Sequence, residues 1–534
     1  MYVKYYKVKR NGKVWEYAKL VEGYREEGKV RHRILKNLGP VRSEADRERF
    51  QEMAKGLRPV KRLVWFEDLR IEEVSDFGIV YTVEKLWDAC GISQVLNEAF
   101  SDGRFEFDVV KIVRLLAAHR LHQPSSDLAA FDWMKRGAFV GADGIEPQHV
   151  YRTLEQLIQR KEKIEVGIFK ELQRALGLKA DLVFYDLTST YFEGEGPELA
   201  EFGYSRDHRP DRKQLVLALA MIDGIPIAHE VFEGNTADRA TLRHAVGKLK
   251  EKFDIERIIF VADRGLFSGE NLDFLGEEEY EFIIATKRRW NKEIEKLMLT
   301  PIETRGRVFA KEVKRDGNRR YILCINKDTE REEREHLREV RQSLERRLKE
   351  LSDSWTREGA GRRPSKESTL SKALKILGKH KRLFDLKFDN RLTYSLNRGA
   401  WKYENAIAGR FLLVTSSDLT AKRVMESYKE LRAVEQAFKE IKNFVDIRPI
   451  FHFNDDMVRA HVFECVLAYL TEALIGRLVP YQSARRTIQE LREIRAVKLA
   501  AKECKGVFLR ELTESDRTLF KSLGVPISER VLEI

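Results

Sequence analysis

Five polar side chains lie on one face of a predicted helix within residues 428–442, and one of them is a carboxylate among cations. At about 100° per residue they fall within roughly 80° of arc; they are Tyr428, Arg432, Glu435, Lys439 and Lys442. A separate apolar stripe, which can dock on a core, contains Leu431, Val434, Phe438, Ile441 and Val445. This set of polar side chains suits a surface that binds phosphates and a metal ion. A solvated helix face held by salt bridges has the same pattern.

Two aspartates follow apolar stretches that are predicted to be strands. Asp186 follows Leu182-Val-Phe-Tyr, and Asp263 follows Ile258-Ile-Phe-Val-Ala. Both stretches are short, rich in Val, Ile and Phe, and closed by turn-type residues, which is typical of buried strands. A carboxylate at the point where such a strand leaves the sheet is held rigidly at the mouth of a pocket. Each aspartate taken alone also fits a turn or a helix cap.

Three carboxylates in the order strand, strand, helix predict a metal site. Hard oxygen ligands select Mg²⁺ or Mn²⁺ over zinc, and two such ions about 4 Å apart can activate a nucleophile and stabilise the leaving oxygen of a phosphodiester. We therefore expect Asp186, Asp263 and Glu435 to be catalytic and to hold two Mg²⁺ ions, with Mn²⁺ as a substitute. The four cysteines have no CxxC spacing, and the eleven histidines form no HxxxH pair, so no soft-metal site competes.

The order of predicted elements gives a mixed α/β, multidomain fold. Residues 1–60 alternate apolar and charged side chains and predict a β-rich module, whereas residues 61–177 have helical periodicity and predict a helical domain for DNA-end binding or dimerisation. Three strands, a helix, a strand, a helix and a strand follow over 178–286, which is the order of an RNase H-like core. An insertion domain is predicted at 287–405, the rest of the core with the Glu435 helix at 406–475, and a helical region at 476–534.

The charge balance favours a polyanionic partner. The 534 residues contain 98 Lys and Arg against 86 Asp and Glu, for a net charge of +12, and residues 362–382 hold eight cations and one glutamate. Unpatterned cysteines favour a reducing compartment, and the N-terminus has no apolar signal core. The most apolar helix, at 458–475, contains charged residues and is predicted to be a core helix. We expect a soluble, cytoplasmic protein with no membrane association.

The chain resembles the DDE transposases of bacterial insertion sequences, in the group with a tyrosine–arginine–glutamate–lysine signature and a β-rich insertion domain. The resemblance covers roughly residues 180–475. It rests on YDLTSTYFE at 185–193, GYSRDHRPDRKQ at 203–214 with GNTAD at 234–238, DRG at 263–265, the 428–442 helix, and HVFECVLAY at 461–469.

The resemblance implies the roles of individual residues. Asp186, Asp263 and Glu435 match the three metal-holding acids of the family, and Tyr428, Lys439 and Lys442 match positions that contact the phosphates of the transposon end. The signature arginine falls at Leu431, so Arg432 is its nearest substitute. Further DNA contacts are predicted for Arg264, Arg206 and Lys213.

The resemblance also implies a reaction and partners. The expected activity is cleavage at the inverted-repeat ends of an insertion sequence by metal-activated water, followed by attack of the exposed 3′-hydroxyl on the opposite strand or on target DNA. The partners would be the double-stranded repeat ends, target DNA and a second copy of the chain in a homodimeric synaptic complex. The expected location is the nucleoid of a prokaryotic cytoplasm.

Three other functions fit parts of the sequence. One is a catalytically inactive DNA-binding derivative of a transposase, and the presence of all three acids disfavours it. Another is a different RNase H-like nuclease, which the large insertion and the 428–442 helix disfavour. A phosphatase with an aspartyl nucleophile would need an acid at position 188, where the chain has threonine.

Overall fold

The computed structural model describes residues 2–10, 13–26, 29–56, 69–139, 144–178, 182–237, 241, 253, 259–302, 308–354, 365–389, 391–501, 504–527 and 531–532. The strands are β1 (Tyr2–Arg10), β2 (Lys13–Glu26), β3 (Lys29–Pro40), β4 (Arg70–Asp76), β5 (Leu182–Tyr191), β6 (Gln214–Ile222), β7 (Ile225–Glu233), β8 (Ile259–Ala262), β9 (Glu281–Ala285), β10 (Val308–Asp316), β11 (Arg319–Asn326), β12 (Phe384–Phe388), β13 (Leu392–Leu396), β14 (Arg410–Thr415), β15 (Arg495–Ala501), β16 (Cys504–Leu509) and β17 (Val531–Leu532).

The helices lie between these strands. They are α1 (Glu44–Gly56), α2 (Gly78–Ala89), α3 (Ile92–Phe100), α4 (Val109–His122), α5 (Asp127–Arg136), α6 (Pro147–Gln159), α7 (Lys161–Leu176), α8 (Gly269–Glu277), α9 (Lys292–Met298), α10 (Lys327–Asp353), α11 (Lys366–Leu377), α12 (Arg398–Ile407), α13 (Ala421–Glu430), α14 (Arg432–Asn443), α15 (Asp455–Leu478), α16 (Ala484–Arg492) and α17 (Glu514–Ser522). A 3₁₀ helix spans Gly378–Leu383.

The described residues form two compact units. One comprises those within 1–75, 495–512 and 528–534; the other comprises those within 76–494 and 513–527. In the first unit β1, β2 and β3 form an antiparallel meander, followed in the chain by α1, and a second sheet has the order β17-β16-β15-β4.

The larger unit contains an eight-stranded mixed sheet, in the order β10-β11-β14-β9-β8-β5-β6-β7. Strands β5, β6 and β7 are antiparallel neighbours, whereas β8 is parallel to β5 and β9 is parallel to β8. Every residue of β6 is buried, as expected of an apolar strand covered on both faces. This is the predicted RNase H-like order, and the mixed α/β fold class is confirmed.

Helices surround this sheet. The helical domain predicted at 61–177 contains α2 to α7, and its apolar periodicity is buried, for example at Leu116, Leu154 and Leu172. Its predicted start is wrong, because the strand β4 lies within that range and pairs with β15. Helix α15 is buried along most of its length and packs against α4, α6 and β7. None of the helices in the described ranges is long and apolar enough to cross a membrane.

The strands predicted within the insertion divide between two sheets. Strands β10 and β11 continue the core sheet through β14, while β12 and β13 form a separate hairpin. The chain leaves the sheet after Asn326 and returns at Gly409, and the N–H of Asn326 donates to the carbonyl of Gly409 (2.9 Å). Helices α10 and α11 share an apolar core with the hairpin, separate from the core of the sheet.

The C-terminal prediction needs correction. Residues 476–534 were expected to be helical, but β15 and β16 lie between α16 and α17. Their apolar alternation is short and interrupted by charges, and the pairing of β15 with β4 involves residues more than 400 positions away, which local periodicity cannot reveal. Apart from Thr241, the helix predicted at 238–252 lies outside the described residues, as does most of the loop predicted at 358–368.

Candidate active site

Asp186 and Asp263 are neighbours because the strands that carry them are parallel and adjacent. Phe184 of β5 and Val261 of β8 form the last pair of this parallel ladder, Asp186 and Asp263 each follow two residues later, and both line the same cavity. Adjacent strands lie about 4.8 Å apart, and in-register side chains point to the same face. Gly265 donates its N–H to Oδ1 of Asp263 (2.6 Å), which fixes the turn after β8. The sheet therefore brings the first two predicted acids together.

The third acid lies on α14. The sequence predicts one continuous helix, whereas α13 ends at Glu430 and α14 begins at Arg432, with the buried Leu431 between them. The predicted apolar stripe is buried throughout; its members are Leu431, Val434, Phe438, Ile441 and Val445. Glu435 is exposed on the other side of the helix. Docking of the apolar stripe thus sets the direction in which Glu435 points.

Asp186 and Asp263 line one cavity, and the charges of Asp263 and Glu435 both act on Asp186. Burial, and then the negative charge of Asp263, raises the pKa of Asp186 to about 7, and Glu435 adds a smaller increase. The backbone of Leu187 and the guanidinium of Arg206 act in the opposite direction. Carboxylates so placed repel one another, and a bound divalent cation would relieve that repulsion. The donor set therefore fits the hard-oxygen coordination of Mg²⁺ or Mn²⁺.

A small cavity opens at the two aspartates. Its volume is about 190 Å³, and its lining comprises Asp186, Leu187, Arg206, Asp263 and Leu266. At about 30 Å³ per water molecule, this space can hold hydrated ions or a phosphate group. The cavity combines two acids with one cation, which is a suitable environment for a phosphodiester and its counter-ions.

Two family models match the chain. The model described as "Transposase DDE domain" matches residues 178–471, which is more than half of the chain and includes all three acids. The chain belongs to the DDE transposase family. The model described as "IS1634 family transposase, N-terminal domain" matches residues 3–63, which include the β1–β3 meander and α1. The resemblance to DDE transposases of insertion sequences is thereby confirmed.

The other comparisons are more distant. None of the curated proteins matches this chain. Among solved structures, the cryo-EM structure of a piggyBac transposase synaptic complex with hairpin DNA aligns with 77% of this chain and 78% of its own, at 10% sequence identity and a TM-score of 0.36. A similarity of that degree has no bearing on function.

The DDE domain places the predicted DNA-binding residues of the helix face in different surroundings. Tyr428 is close to the acids: burial, and then the charge of Asp263, raises the pKa of Tyr428, so its phenol stays protonated. Its ring lies 5.7 Å from that of Phe411. Arg432 and Lys439 are exposed on α14. Both cations are therefore accessible to a phosphate backbone.

Lys442, in contrast, is held by the protein. Its Nζ donates to the carbonyl oxygen of Ser189 on β5 (2.6 Å) and to Oδ1 of Asp207 (2.8 Å). Burial lowers the pKa of Lys442, and Asp207 counteracts this effect. The ammonium group thus links α14 to β5, while a contact between Lys442 and DNA stays a prediction.

The remaining predicted DNA-binding residues lie around the end of β5 and β8. Arg206 lines the cavity at the aspartates, Arg264 directly follows Asp263, and Lys213 immediately precedes β6. Sequence reasoning missed Asp207, which accepts hydrogen bonds from Lys442 and from Arg448 (3.2 Å). No local signal could have identified this aspartate, because both partners are more than 230 residues away in the chain.

A wider, mostly cationic cavity adjoins Asp263. It measures about 610 Å³ and is lined by Tyr204, Arg206, Asp263, Arg264, Gly265, Lys287, Arg288, Arg289 and Arg382. Arg288 forms two hydrogen bonds with Glu333 of α10 (2.9 and 3.1 Å), and Arg289 pairs with Glu404 of α12. The sequence feature that indicates this cationic lining is the run Lys287-Arg288-Arg289 shortly after β9. Arg382 comes from the inserted segment, so the insertion contributes to the cleft beside the acids.

Two glycines allow close approach of the loops around the site. A Cβ at Gly203 would lie 1.8 Å from the carbonyl oxygen of Gly234, and a Cβ at Gly234 would lie 2.1 Å from that of Gln214. Only glycine fits both positions. The two stretches that carry the resemblance, at 203–214 and 234–238, therefore meet in space and bring the Arg206 loop to β5.

A second group of ligand-type residues lies elsewhere in the described part of the chain. Asp127, His452 and His461 have ligand atoms within 4.8 Å of one another. However, Nη2 of the buried Arg120 donates to Asp127 (3.1 Å) and lies 3.2 Å from Nδ1 of His461, and Nε of Arg120 donates to Glu464 (2.7 Å). A guanidinium so placed repels a further cation. This cluster is better described as a buried ion network between α4, α5 and α15 than as a metal site.

Proposed function

We propose that this protein is a DNA transposase that binds the inverted-repeat ends of an insertion sequence and carries out metal-dependent strand cleavage and strand transfer. The observation that carries the proposal is that Asp186 and Asp263 line one cavity inside a DDE domain, with the charges of Asp263 and Glu435 acting on Asp186. An electrostatically strained acid cluster of this kind is typical of a functional site. The cationic cavity beside Asp263 supports a polyanionic substrate.

The three acids would hold two Mg²⁺ ions, for which Mn²⁺ is a substitute. When bound, the ions would supply charge stabilisation and activation of the attacking group for in-line displacement at phosphorus. The protein's own contribution is positioning. The adjacent strands β5 and β8 position Asp186 and Asp263, and the buried stripe of α14 sets the direction of Glu435. Phosphoryl transfer depends mainly on such positioning and on electrostatic stabilisation.

The predicted partners follow from this reaction. Exposed cations, including Arg432, Lys439 and Arg264, would contact backbone phosphates of double-stranded repeat ends and target DNA. A homodimer would bring the two transposon ends together in a synaptic complex. We infer a nucleoid-associated location in a prokaryotic cytoplasm from the same substrate.

The test is cleavage of labelled DNA that carries the repeats flanking the protein's own gene. With Mg²⁺, the wild type should nick at the repeat boundary, whereas Asp186→Asn, Asp263→Asn and Glu435→Gln should reduce cleavage by at least about 10³-fold. End binding should stay within a few fold, because each change removes a metal ligand and leaves the phosphate contacts in place.

Three outcomes would contradict the proposal. Equal loss of binding and folding in all three variants would remove the catalytic assignment. Specific binding without cleavage in Mg²⁺ or Mn²⁺ would indicate an inactive DNA-binding derivative. Cleavage that ignores the repeats would indicate a general nuclease.

A further inference from the structure

Arg206 lies where the two cavities of the site meet. It lines the small cavity with both aspartates, and it also lines the wider cationic cavity. Asp263 is shared by both as well, so the two cavities adjoin at these two residues. A phosphodiester that reached the acids from the cationic side would pass the guanidinium of Arg206.

The backbone that carries Arg206 is tied to the elements that carry the acids. The N–H of Arg206 donates to Oγ of Ser189, three residues after Asp186 on β5 (2.8 Å). The next residue, Asp207, accepts from Lys442 of the Glu435 helix (2.8 Å) and from Arg448 (3.2 Å). The position of Arg206 is therefore coupled to β5 and α14, and preorganised groups of this kind stabilise charge at little reorganisation cost.

Two other arginines of the wider cavity are paired with acids of the inserted segment. Arg288 and Arg289 pair with Glu333 and Glu404 of the inserted helices, so they help to hold the insertion on the core. The small cavity contains one cationic side chain in its lining, and that side chain is Arg206.

We propose that Arg206 is a catalytic residue of the cleavage reaction, with its guanidinium donating to a non-bridging oxygen of the scissile phosphate, and that Asp207 is its positioning residue. This inference rests on the proposed function. In the step, the water oxygen bonds to phosphorus as the bond from phosphorus to the 3′ oxygen breaks. The water loses one proton, and the 3′ oxygen gains one to leave a 3′-hydroxyl and a 5′-phosphate. The guanidinium stabilises charge on the equatorial oxygens.

The first test separates rate from binding. At saturating DNA, Arg206→Gln should lower the cleavage rate constant by about 10²- to 10³-fold, while the Kd for the repeat end changes by less than about threefold. Arg206→Lys should recover part of the rate, because it restores the charge but not the planar fork. Arg486→Gln, which removes the same charge from the exposed face of α16, is the control and should match the wild type. An unchanged rate, or a loss that saturating DNA restores, would overturn the catalytic role.

The second test concerns Asp207. If Asp207 acts through Arg206, Asp207→Asn should lower the rate constant, and the Asp207→Asn, Arg206→Gln double variant should be no slower than Arg206→Gln alone. Thermal melting of both single variants reports separately on folding. Additive losses in the double variant would contradict the positioning role.

A third measurement does not need the reaction. Because Arg206 faces the two aspartates, Arg206→Gln should bind Mn²⁺ about fivefold more tightly than the wild type, and Asp186→Asn should abolish that binding. Unchanged Mn²⁺ affinity in Arg206→Gln would overturn its placement at the acids. If the wild type cleaves no repeat end, the proposed function fails and the reaction role of Arg206 fails with it, while this titration still decides the placement.

Discussion

At the scale of single residues, the polar face of α14 separates into accessible and internal cations. Lys439 is exposed, whereas Lys442 donates to Ser189 and Asp207. Both lysines belong to the same polar stripe at helical spacing, so the sequence pattern predicts the same role, phosphate contact, for both. Their surroundings give them different roles. Lys439 is exposed and can contact DNA phosphates, whereas Lys442 stabilises the contact between α14 and β5 through its two hydrogen bonds.

Substitution of these two lysines should therefore have different effects. Lys439→Ala should weaken DNA binding and reduce the slope of log K against log salt by about one, because one phosphate contact is lost. Lys442→Ala should change the slope by less than half as much and should lower the melting temperature. Anisotropy titrations at several salt concentrations, together with thermal melts, measure both. Equal changes in slope would mean that Lys442 also contacts phosphate.

At the scale of elements, α14 is fixed from its far side by a cluster of charged groups. Glu440 of α14 accepts from Arg485 of α16 (2.5 Å), and both interact with Glu472 of α15. Burial, and then the charge of Glu440, raises the pKa of Glu472 to about 8. Glu472 is therefore protonated at neutral pH, and it can share its proton with Glu440.

This cluster predicts a pH dependence of stability. The folded protein holds the Glu472 proton more tightly than the unfolded chain, so the stability associated with it is lost as pH rises from about 4.5 through about 8. Glu472→Gln cannot ionise, and its melting temperature relative to the wild type should rise by about 2 °C or more between pH 6 and pH 9. Glu490→Gln on α16 is the control. A difference that is the same at both pH values would contradict the assignment.

Some strands of the core could be predicted from the sequence, whereas the break between α13 and α14 could not. Strands Gln214–Ile222 and Arg410–Thr415 were predicted with the bounds that the structure has, because each is an apolar run closed by polar residues. Asp263 directly follows β8, as predicted, but the prediction that Asp186 ends its strand is wrong, because β5 continues through Leu187 to Tyr191 by pairing with β6. Periodicity could not show the break at Leu431, because its buried side chain continues the apolar stripe across both helices.

Contacts between residues that are far apart in the chain could not be predicted from the sequence. The approach of Asp186 to Asp263 depends on the pairing of β5 with β8, and the hydrogen bond from Lys442 to Asp207 joins residues 235 positions apart. Strands β10 and β11 have the same apolar alternation whether they belong to the core sheet or to an insertion. Only tertiary pairing distinguishes these arrangements.

At the scale of the whole molecule, the inserted segment has an apolar core of its own. Leu348 of α10 is fully buried there among side chains of α11 and the β12–β13 hairpin, whereas Phe260 of β8 is fully buried in the core of the sheet. Few apolar side chains belong to both clusters. Stability is therefore expected to be divided between the two cores.

Leu348→Ala should loosen the insertion selectively. The cavity should cost about 2–5 kcal/mol and should raise amide hydrogen exchange within residues 327–407, with β5 and β8 little changed. Phe260→Ala is the matched change in the other core and should raise exchange across the sheet. A uniform increase for Leu348→Ala would show that both cores unfold as one unit.

The hydrogen bond between Asn326 and Gly409 has a consequence for how this family can diversify. The inserted segment of some eighty residues begins and ends at neighbouring positions on the adjacent strands β11 and β14. Its length and sequence therefore have little influence on the pairing of these two strands. Related proteins could therefore gain, shorten or exchange a module at this position while the arrangement of the three acids stays unchanged. Replacing the inserted segment by another domain, joined at Asn326 and Gly409, would use a core sheet that already accommodates a large insertion.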